Sequence, residues 1–499
     1  MTRAKKAVLS LVEDTVVGNS QINLELFEKI ISHDPVLKGN PVRLYRSHDG
    51  KDFVELVGKG MKKHGLMILS SKAFKKTLNY YHLSNNPLSS MDAIEKDVNE
   101  AIKKLDAIFE GEVNPQHIFN RIANLGDTIF VNLNNDAKEV VKITGDGWET
   151  ITECPVLFIP SNNALEMPKP ETGGSLEDLT ELFNVDDDSA KLIAASILMM
   201  FRGMGPYPVL NLIGPQGSTK STTATIIRNL VDPVRHPLLQ IPKSVHDLNV
   251  VAAKNAILNL NNVSKLSDAI SDALCVIATE GGAANRKLFT SDDVVVLENN
   301  RPIIINGITR AINRGDLIDR TISIHLPKVS KEDRKTRKKV MDEFERRHSR
   351  ILGMLFDGVA AGLKYFDTME PNGLPRMADF AQFICAAAKG MNGKMDSFLE
   401  IYNNNQEEAL NDTLENSVTV QAINNLMISK KSWTGPMWKL LSELKVHHNN
   451  CMGALPDNAQ TLRNEIRRVE HLLTIENITI EQLPRKSGER PYIITKTII

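Results

Sequence analysis

Residues 208–222 read Pro-Val-Leu-Asn-Leu-Ile-Gly-Pro-Gln-Gly-Ser-Thr-Lys-Ser-Thr. The short apolar run 209–213 predicts a buried strand. Residues 214–219 form a small, polar, glycine-bearing loop. Residues 220–230 predict a helix, stopped by Asp232-Pro233. Strand, loop and helix with Lys-Ser at the helix start is the pattern of a phosphate-binding loop. The chemistry explains the residue types. Gly214, Gln216, Gly217, Ser218 and Thr219 would let backbone N–H groups close around a nucleotide's phosphates. The helix start, Lys220, Ser221 and Thr222, adds partial positive charge. Lys220 would reach the β- and γ-phosphates, and Ser221 would hold Mg²⁺. The pattern asks for glycine just before the lysine, and Thr219 stands there. An ordinary strand-to-helix turn can also contain Gly and Lys. The correct context on both sides, with Lys-Ser-Thr following directly, favours a nucleotide site.

The chain has 499 residues, enough for about three domains. Apolar residues make up 42% and charged residues 24%, the balance of a soluble globular protein. Net charge is −1, so contact with nucleic acid must come from local patches. No apolar run is long enough to span a bilayer, and the start of the chain does not read as a signal peptide. Cys154, Cys275, Cys385 and Cys451 are far apart, which argues against a disulfide framework or a zinc ribbon. The expectation is a reduced, cytoplasmic protein without a membrane partner.

Residues 1–175 read as an α+β domain. Residues 24–31 predict a helix, 42–45 and 53–57 a hairpin, and 71–80 and 90–109 two helices. Residues 128–133, 140–144 and 150–159 predict strands. His48, His64 and His82 are isolated and read as surface or packing residues. Residues 168–174 are a linker by composition. Residues 176–329 then form the nucleotide core. Asp186, Asp187 and Asp188 begin an apolar helix over 190–201, and strands alternate with helices from 209 to 328, which predicts a mostly parallel sheet with helices on its faces.

Within this core the strand 255–260 ends in Asn261-Asn262. A phosphate-loop ATPase places an acid there to position Mg²⁺ and the attacking water. An amide can hydrogen-bond a metal-bound water, but it brings no negative charge and cannot act as a base. This is the strongest sign in the sequence against fast hydrolysis. Residues 267–279 predict a helix, and 286–290 with 294–297 a hairpin around an acidic tip. The strand 301–307 carries Asn306, placed to touch the γ-phosphate or its water. Arg310, Arg314 and Arg320 follow. Such an arginine, supplied to a neighbouring subunit, would stabilise transition-state charge. The strand 321–326 closes the core.

Residues 330–429 predict helices over 330–350, 351–366, 377–389 and 397–411, forming an all-α lid. Residues 430–499 change character. Helices over 437–445 and 459–473 precede β-rich segments at 478–483 and 492–498, the pattern of a winged helix. Eleven Lys and Arg against seven acids make this segment about +4. Arg463, Arg467 and Arg468 lie on adjoining faces of the presumed recognition helix. Arg485, Lys486 and Arg490 lie on the wing. Phosphate contacts of this kind position a helix in a DNA groove; the same fold is also used for protein contact.

From about residue 100 onward the chain resembles AAA+ ATPases of bacterial phages, prophages and satellite elements, related to superfamily-3 and poxvirus-type replicative helicases. The resemblance rests on 214–224, Asn-Asn-Val-Ser at 261–264 and Leu-Ser-Asp-Ala-Ile-Ser-Asp-Ala-Leu-Cys at 266–275. Arg-Pro-Ile-Ile-Ile-Asn-Gly-Ile at 301–308, Arg-Gly-Asp-Leu-Ile-Asp-Arg at 314–320 and Pro-Arg-Met-Ala-Asp-Phe-Ala at 375–381 add to it. It implies an α/β AAA+ core with a helical lid, an α+β N-terminal domain and a C-terminal winged helix. It also implies an ATP- and Mg²⁺-dependent DNA helicase or replication initiator, assembled as a ring, a hexamer by expectation. Lys220 and Ser221 then carry the first nucleotide motif. Asn261 takes the family's Asp position, sharing the metal with Ser221, and Asn306 is the sensor. Arg320, with Arg314 as runner-up, falls in the arginine-finger region. The hairpin 286–297 falls where related helicases grip single-stranded DNA, with Arg286 and Lys287 as candidate contacts.

Two functional readings follow. One is an ATP-driven motor, with single-stranded DNA in the pore and origin duplex on the winged helix. The other is an ATP-binding, weakly hydrolysing scaffold on DNA that recruits host replication proteins. A metabolic phosphate-loop kinase fits less well, given the basic C-terminal segment.

Overall fold

A computed structural model of the chain describes residues 42–47, 51–56, 66–109, 115–159, 161, 163–279, 282–286, 294–308, 311–312, 314–391, 393–447, 455–485 and 490–497. For 42, 56, 109, 282–286, 294–298, 416, 429, 447, 468 and 471 it describes backbone only. The predicted helix at 24–31 lies outside these residues, as do His48, His64, Lys287, Arg310, Cys451 and Lys486.

The N-terminal part contains two sheets. In the first, Val42–Ser47 and Asp52–Leu56 pair antiparallel, the predicted hairpin, with Met67–Ile68 and Pro115–Gln116 at the edges. Helices Lys72–Asn85 and Met91–Phe109 pack on it through Phe74, Leu78, Ile94, Val98 and Leu105. Ser71 caps the first helix by accepting from the Phe74 N–H. His82 is a packing residue as expected, buried with its Nε2 3.0 Å from Asp97. The second sheet is an antiparallel meander of Ile122–Asn124, Thr128–Asn132, Val140–Thr144 and Gly147–Ile151. The single strand expected over 150–159 is in fact split. Gly147–Ile151 ends one hairpin, and Leu157–Phe158 leaves it to pair in parallel with Ile118–Phe119.

The central sheet is wholly parallel, in the order Leu258–Leu260, Ile303–Gly307, Val209–Ile213, Thr321–His325. Its strands are buried nearly throughout, which accounts for apolar runs in place of alternation. Helices Asp187–Arg202 and Lys220–Val231 pack among the residues of one face. Helices Val245–Lys254 and Asp268–Ala278 belong to the core cluster of the other. The helix 245–254 is absent from the sequence reading, although Ser244 with Asp247 three residues on is a capping signature.

The helices after the sheet differ from the expected lid. The segments 330–350 and 351–366 are one 29-residue helix, Arg337–Tyr365, beginning only after Thr336. Its second half is buried on several sides, with Ile351, Leu352, Leu355, Phe356 and Val359 wholly enclosed. It packs against Ala378–Ala388, Asp187–Arg202 and the N-terminal meander, where Trp148 donates to Asp357 at 2.9 Å. It is thus a central pillar joining the meander to the core. Such a position leaves room for few charges, and His348 is the one imidazole inside it.

His348 is 6% exposed and stacks on Phe344 at 4.6 Å, and burial pushes it down to about 4 despite a hydrogen bond to the Leu230 backbone. The folded protein therefore holds it neutral, while the unfolded chain protonates it near pH 6.5. Stability is unpenalised above that value and falls with pH by up to about 1.4 kcal/mol per unit until about pH 4. Urea unfolding between pH 7 and 4.5 should show this slope reduced in His348→Gln. An unchanged slope would assign acid sensitivity to other groups.

The C-terminal unit runs helix Val418–Ser429, strand Ser432–Pro436, helix Met437–His447, helix Ala459–Ile475, then the hairpin Ile478–Gln482 and Pro491–Lys496. The three strands form one antiparallel sheet with 491–496 in the middle. Val420, Ile423, Leu440, Leu444, Leu462, Leu472 and Ile494 form its core. Helix 418–429, placed in the helical segment by sequence, belongs to this core.

A candidate nucleotide site and the surfaces around it

Four parallel strands end at one edge of the central sheet, and the order reverses on the two sides of Val209–Ile213. Ligands of open parallel sheets bind outside the carboxyl ends at such a point. Here that edge carries Gly214, Asn261, Asn306 and their following turns.

The loop after Ile213 is shaped by two glycines and one strained threonine. A Cβ at Gly214 would lie 2.4 Å from the Leu326 carbonyl and 2.7 Å from Ser218 Oγ, so no side chain fits. Gly217 has φ +83°, and Thr219, at the cap of helix Lys220–Val231, has φ +66° and ψ 9°. Thr219 takes the left-handed geometry at the position where the motif has glycine, at a cost of roughly 1 kcal/mol. Its hydroxyl donates to the Ser218 carbonyl at 2.6 Å. Gln216, Gly217, Thr219 and Ser221 are exposed, Thr222 is half-buried and Ser218 is fully buried.

Lys220 Nζ donates to the carbonyls of Gly214 (2.7 Å) and Pro215 (2.8 Å) and to Ser218 Oγ (3.3 Å). Burial alone lowers its pKa. All three partners are neutral, so its charge is directed into the loop without being cancelled there.

Ser221 Oγ donates to Asn261 Oδ1 at 3.0 Å, which brings the two expected metal contacts together across the site. Both are neutral oxygens. Such a pair fits a Mg²⁺ that keeps most of its waters and gains its charge contacts from phosphate. No group of three or more His, Cys, Asp or Glu able to hold a metal occurs among the described residues. The Asn262 N–H donates to Asn306 Oδ1 at 3.1 Å, and the Val263 N–H to the Asn306 carbonyl at 2.9 Å. Asn262 itself is exposed, with φ +57°. Asn306 is 2% exposed, and its Nδ2 has no partner in the described structure. It therefore fixes the turn that aims Asn261 and keeps one N–H₂ group unspent. The glycine cradle and the uncancelled ammonium together fit a phosphate group.

Arg314 and Arg320 are not brought to this edge. Strand Thr321–His325 runs parallel to Val209–Ile213, with Thr321 opposite Val209. Arg320 therefore lies at the amino end of the sheet, about 16 Å of strand from the loop. Its Nη1 donates to the Asp316 carbonyl (2.6 Å) and to Asp316 Oδ1 (2.5 Å). Arg376 joins the same cluster, reaching Asp316 and Asp319 at 2.7 Å each. Burial works against the charge on Asp316, but Arg320 and Arg376 outweigh it and hold the carboxyl below its ordinary range. Arg314 pairs with Asp272 at 2.9 Å. None of the three reaches its own loop. Arg376 lies in the 375–381 segment, where nothing local in sequence points to this cluster.

The hairpin after helix Asp268–Ala278 is present, but its first strand is Gly282–Arg286 rather than 286–290, with Arg286 opposite Val294. Its tip lies outside the described residues. On helix Ala459–Ile475, Arg467 is exposed, whereas the Arg463 guanidinium stacks over Tyr492 at 5.6 Å and its Nε is buried. Arg463 is thus a packing residue of the C-terminal unit, because the middle strand Pro491–Lys496 brings Tyr492 beneath it. Only backbone is described for Arg468. Arg485 and Arg490 are exposed at the two ends of the hairpin turn.

Residues 176–412 match the family model of the actinomycete integrative conjugative element replication protein. Residues 419–498 match the C-terminal domain of that replication protein. By both matches the chain groups with mobile-element replication proteins. Among curated proteins none matches it. Similar solved structures include the A form apo structure of the NrS-1 C terminal region, at 11% identity and a TM-score of 0.41, covering 95% of this chain and 99% of that one. An apo structure of the same NrS-1 region is similar at 11% identity and 0.41, covering 93% and 100%. No helix among the described residues is long and apolar enough to cross a membrane.

Proposed function

We propose that this replication protein is an ATP-dependent DNA motor, a helicase or initiator that works as a ring of identical subunits on DNA. The observation that carries this reading is the division of charge in the sheet. Lys220, Ser221, Asn261 and Asn306 gather at the carboxyl edge, while Arg320 sits at the amino edge. An arginine placed there serves a nucleotide only on a neighbouring copy. ATP would supply the phosphoanhydride and Mg²⁺ the neutralising charge. Lys220 would hold the phosphates, Ser221 and Asn261 would hold the metal's waters, and Asn306 would position the turn that carries Asn261. Arg467, Arg485 and Arg490 would contact duplex phosphates on a winged helix, and the 282–298 hairpin would face single-stranded DNA.

ATP turnover with and without single-stranded DNA, measured alongside mass in solution, tests the proposal. The expected result is DNA-stimulated turnover in a ring-sized particle. The Ser221–Asn261 hydrogen bond favours a second reading, because a neutral pair at the metal position weakens hydrolysis. In that reading the chain assembles on DNA as an ATP switch and recruits host replication proteins. Asn261→Asp is expected to raise turnover about tenfold or more, by restoring a carboxylate beside the metal. If Asn261→Asp leaves an assembled ring with no turnover at all, the scaffold reading stands in place of the motor.

A further inference from the structure

The segment after strand Thr321–His325 does not leave the loop. The Leu326 N–H donates to the Ile213 carbonyl at 2.8 Å. The Leu326 carbonyl fills the space that a side chain on Gly214 would need. Asn184 donates to the Pro327 carbonyl at 2.8 Å, and the Val329 N–H reaches the Gly217 carbonyl at 3.3 Å. These contacts hold residues 326–329 as a strap along the loop from Ile213 to Gly217. Five residues on, the strap delivers Arg334. A Cβ placed on Gly217 would stand 3.9 Å from Arg334 Nη2.

Arg334 is exposed. Two of its charged neighbours have partners of their own. Asp333 accepts from Ser330 at 2.7 Å, and Lys335 pairs with Glu343 at 3.1 Å. Two residues beyond Arg334, helix Arg337–Tyr365 begins at its Thr336 cap, with no acid in its first turn. The start of a second helix thus adds its partial positive charge within about 7 Å of chain. An arginine that stands beside Gly217, in the middle of a glycine loop, has the planar fork suited to phosphate oxygens.

We propose that Arg334 is a second phosphate-binding cation of this site, acting in cis on the outermost phosphate of a nucleoside triphosphate and so distinguishing tri- from diphosphate. The inference rests on the nucleotide reading of the loop. It gives the cis cation a different residue from Arg320, which lies at the far edge of the sheet, and from Arg314, which pairs with Asp272.

The test is calorimetric titration of the full chain with the Mg²⁺ complexes of AMP-PNP and ADP, for wild type, Arg334→Ala, Arg334→Lys and Lys220→Ala. Arg334→Ala is expected to weaken AMP-PNP about tenfold and ADP less than about twofold. Arg334→Lys, which keeps the charge but not the fork, should fall between. Two results would overturn the proposal while leaving the loop reading intact: AMP-PNP affinity unchanged in Arg334→Ala although lost in Lys220→Ala, or equal losses for the two nucleotides. Failure of the wild type to bind either nucleotide would overturn both. Because Arg334 is exposed, melting temperatures of its variants should match wild type, which separates a binding loss from a folding defect.

Discussion

Lys220→Ala is expected to weaken ATP binding about a hundredfold or more while the protein stays folded. The ammonium is held by two loop carbonyls and one hydroxyl, all uncharged, at 2.7, 2.8 and 3.3 Å. Without phosphate, those acceptors only orient it. With phosphate, the charge has a partner of opposite sign in a half-buried setting, where charge-assisted hydrogen bonds are about twice as strong as neutral ones. A loss of roughly 3 kcal/mol corresponds to that hundredfold. The fold depends much less on this side chain. Pro215 is exposed and Gly214 half-exposed, so water takes over their carbonyls at a cost of about 1 kcal/mol. Fluorescent-nucleotide titration beside a thermal melt measures both quantities. Wild-type affinity in the variant would remove Lys220 from the site, and the nucleotide reading of 214–222 with it.

The loop was legible because strand, loop and helix are all local in sequence and each type has its own signal. Val209–Ile213 is an apolar run interrupted only by Asn211, and Lys220–Val231 begins where the pattern says and is capped at Asp232. Asn261 was legible for the same reason, as the first residue after a buried strand. What the sequence could not display was direction. The parallel register of Thr321 with Val209 puts Arg320 at the far edge of the sheet, and register is a property of pairing between distant segments. Arg334 was hidden by composition. It sits in a run of mixed charge that reads as a solvated helix, but the helix starts only at Arg337, and the preceding strap is set by backbone bonds to the loop. The long helix was misjudged for a related reason. Its charged first half signals solvent, and contacts with Ala378–Ala388, Asp187–Arg202 and the distant meander make its second half a core element. Arg463 shows the same limit, since nothing local indicates that Tyr492 lies beneath it.

Asp232→Ala should be the most damaging substitution to stability, by about 3–5 kcal/mol. Two arginines share this carboxylate. Arg121 Nε meets Oδ1 at 2.9 Å, and Arg228 Nη2 meets Oδ2 at 2.7 Å. Arg121, Arg228 and Asp232 are 2%, 1% and 6% exposed. The remaining donors are satisfied by carbonyls. Arg121 reaches those of Asn132, Leu165 and Pro233, and Arg228 those of Asp232 and Ile257. Burial pushes the Arg228 pKa down, Asp232 pushes it back up, and the nearby Arg121 adds to the lowering. Removing the carboxylate leaves two enclosed cations facing each other with no counter-charge. The damage would also be directional, because Arg121 belongs to the N-terminal meander, whereas Arg228 and Asp232 end the helix that starts at Lys220. The network therefore fixes how that helix docks on the rest of the chain. Urea unfolding of Asp232→Ala, Arg121→Met and the double variant apportions the effect. The double variant should lose less than the sum of the two by about 2 kcal/mol, since it removes one of the stranded charges as well. Strict additivity would mean that the pair is solvated in solution, and that the helix is held by apolar packing alone.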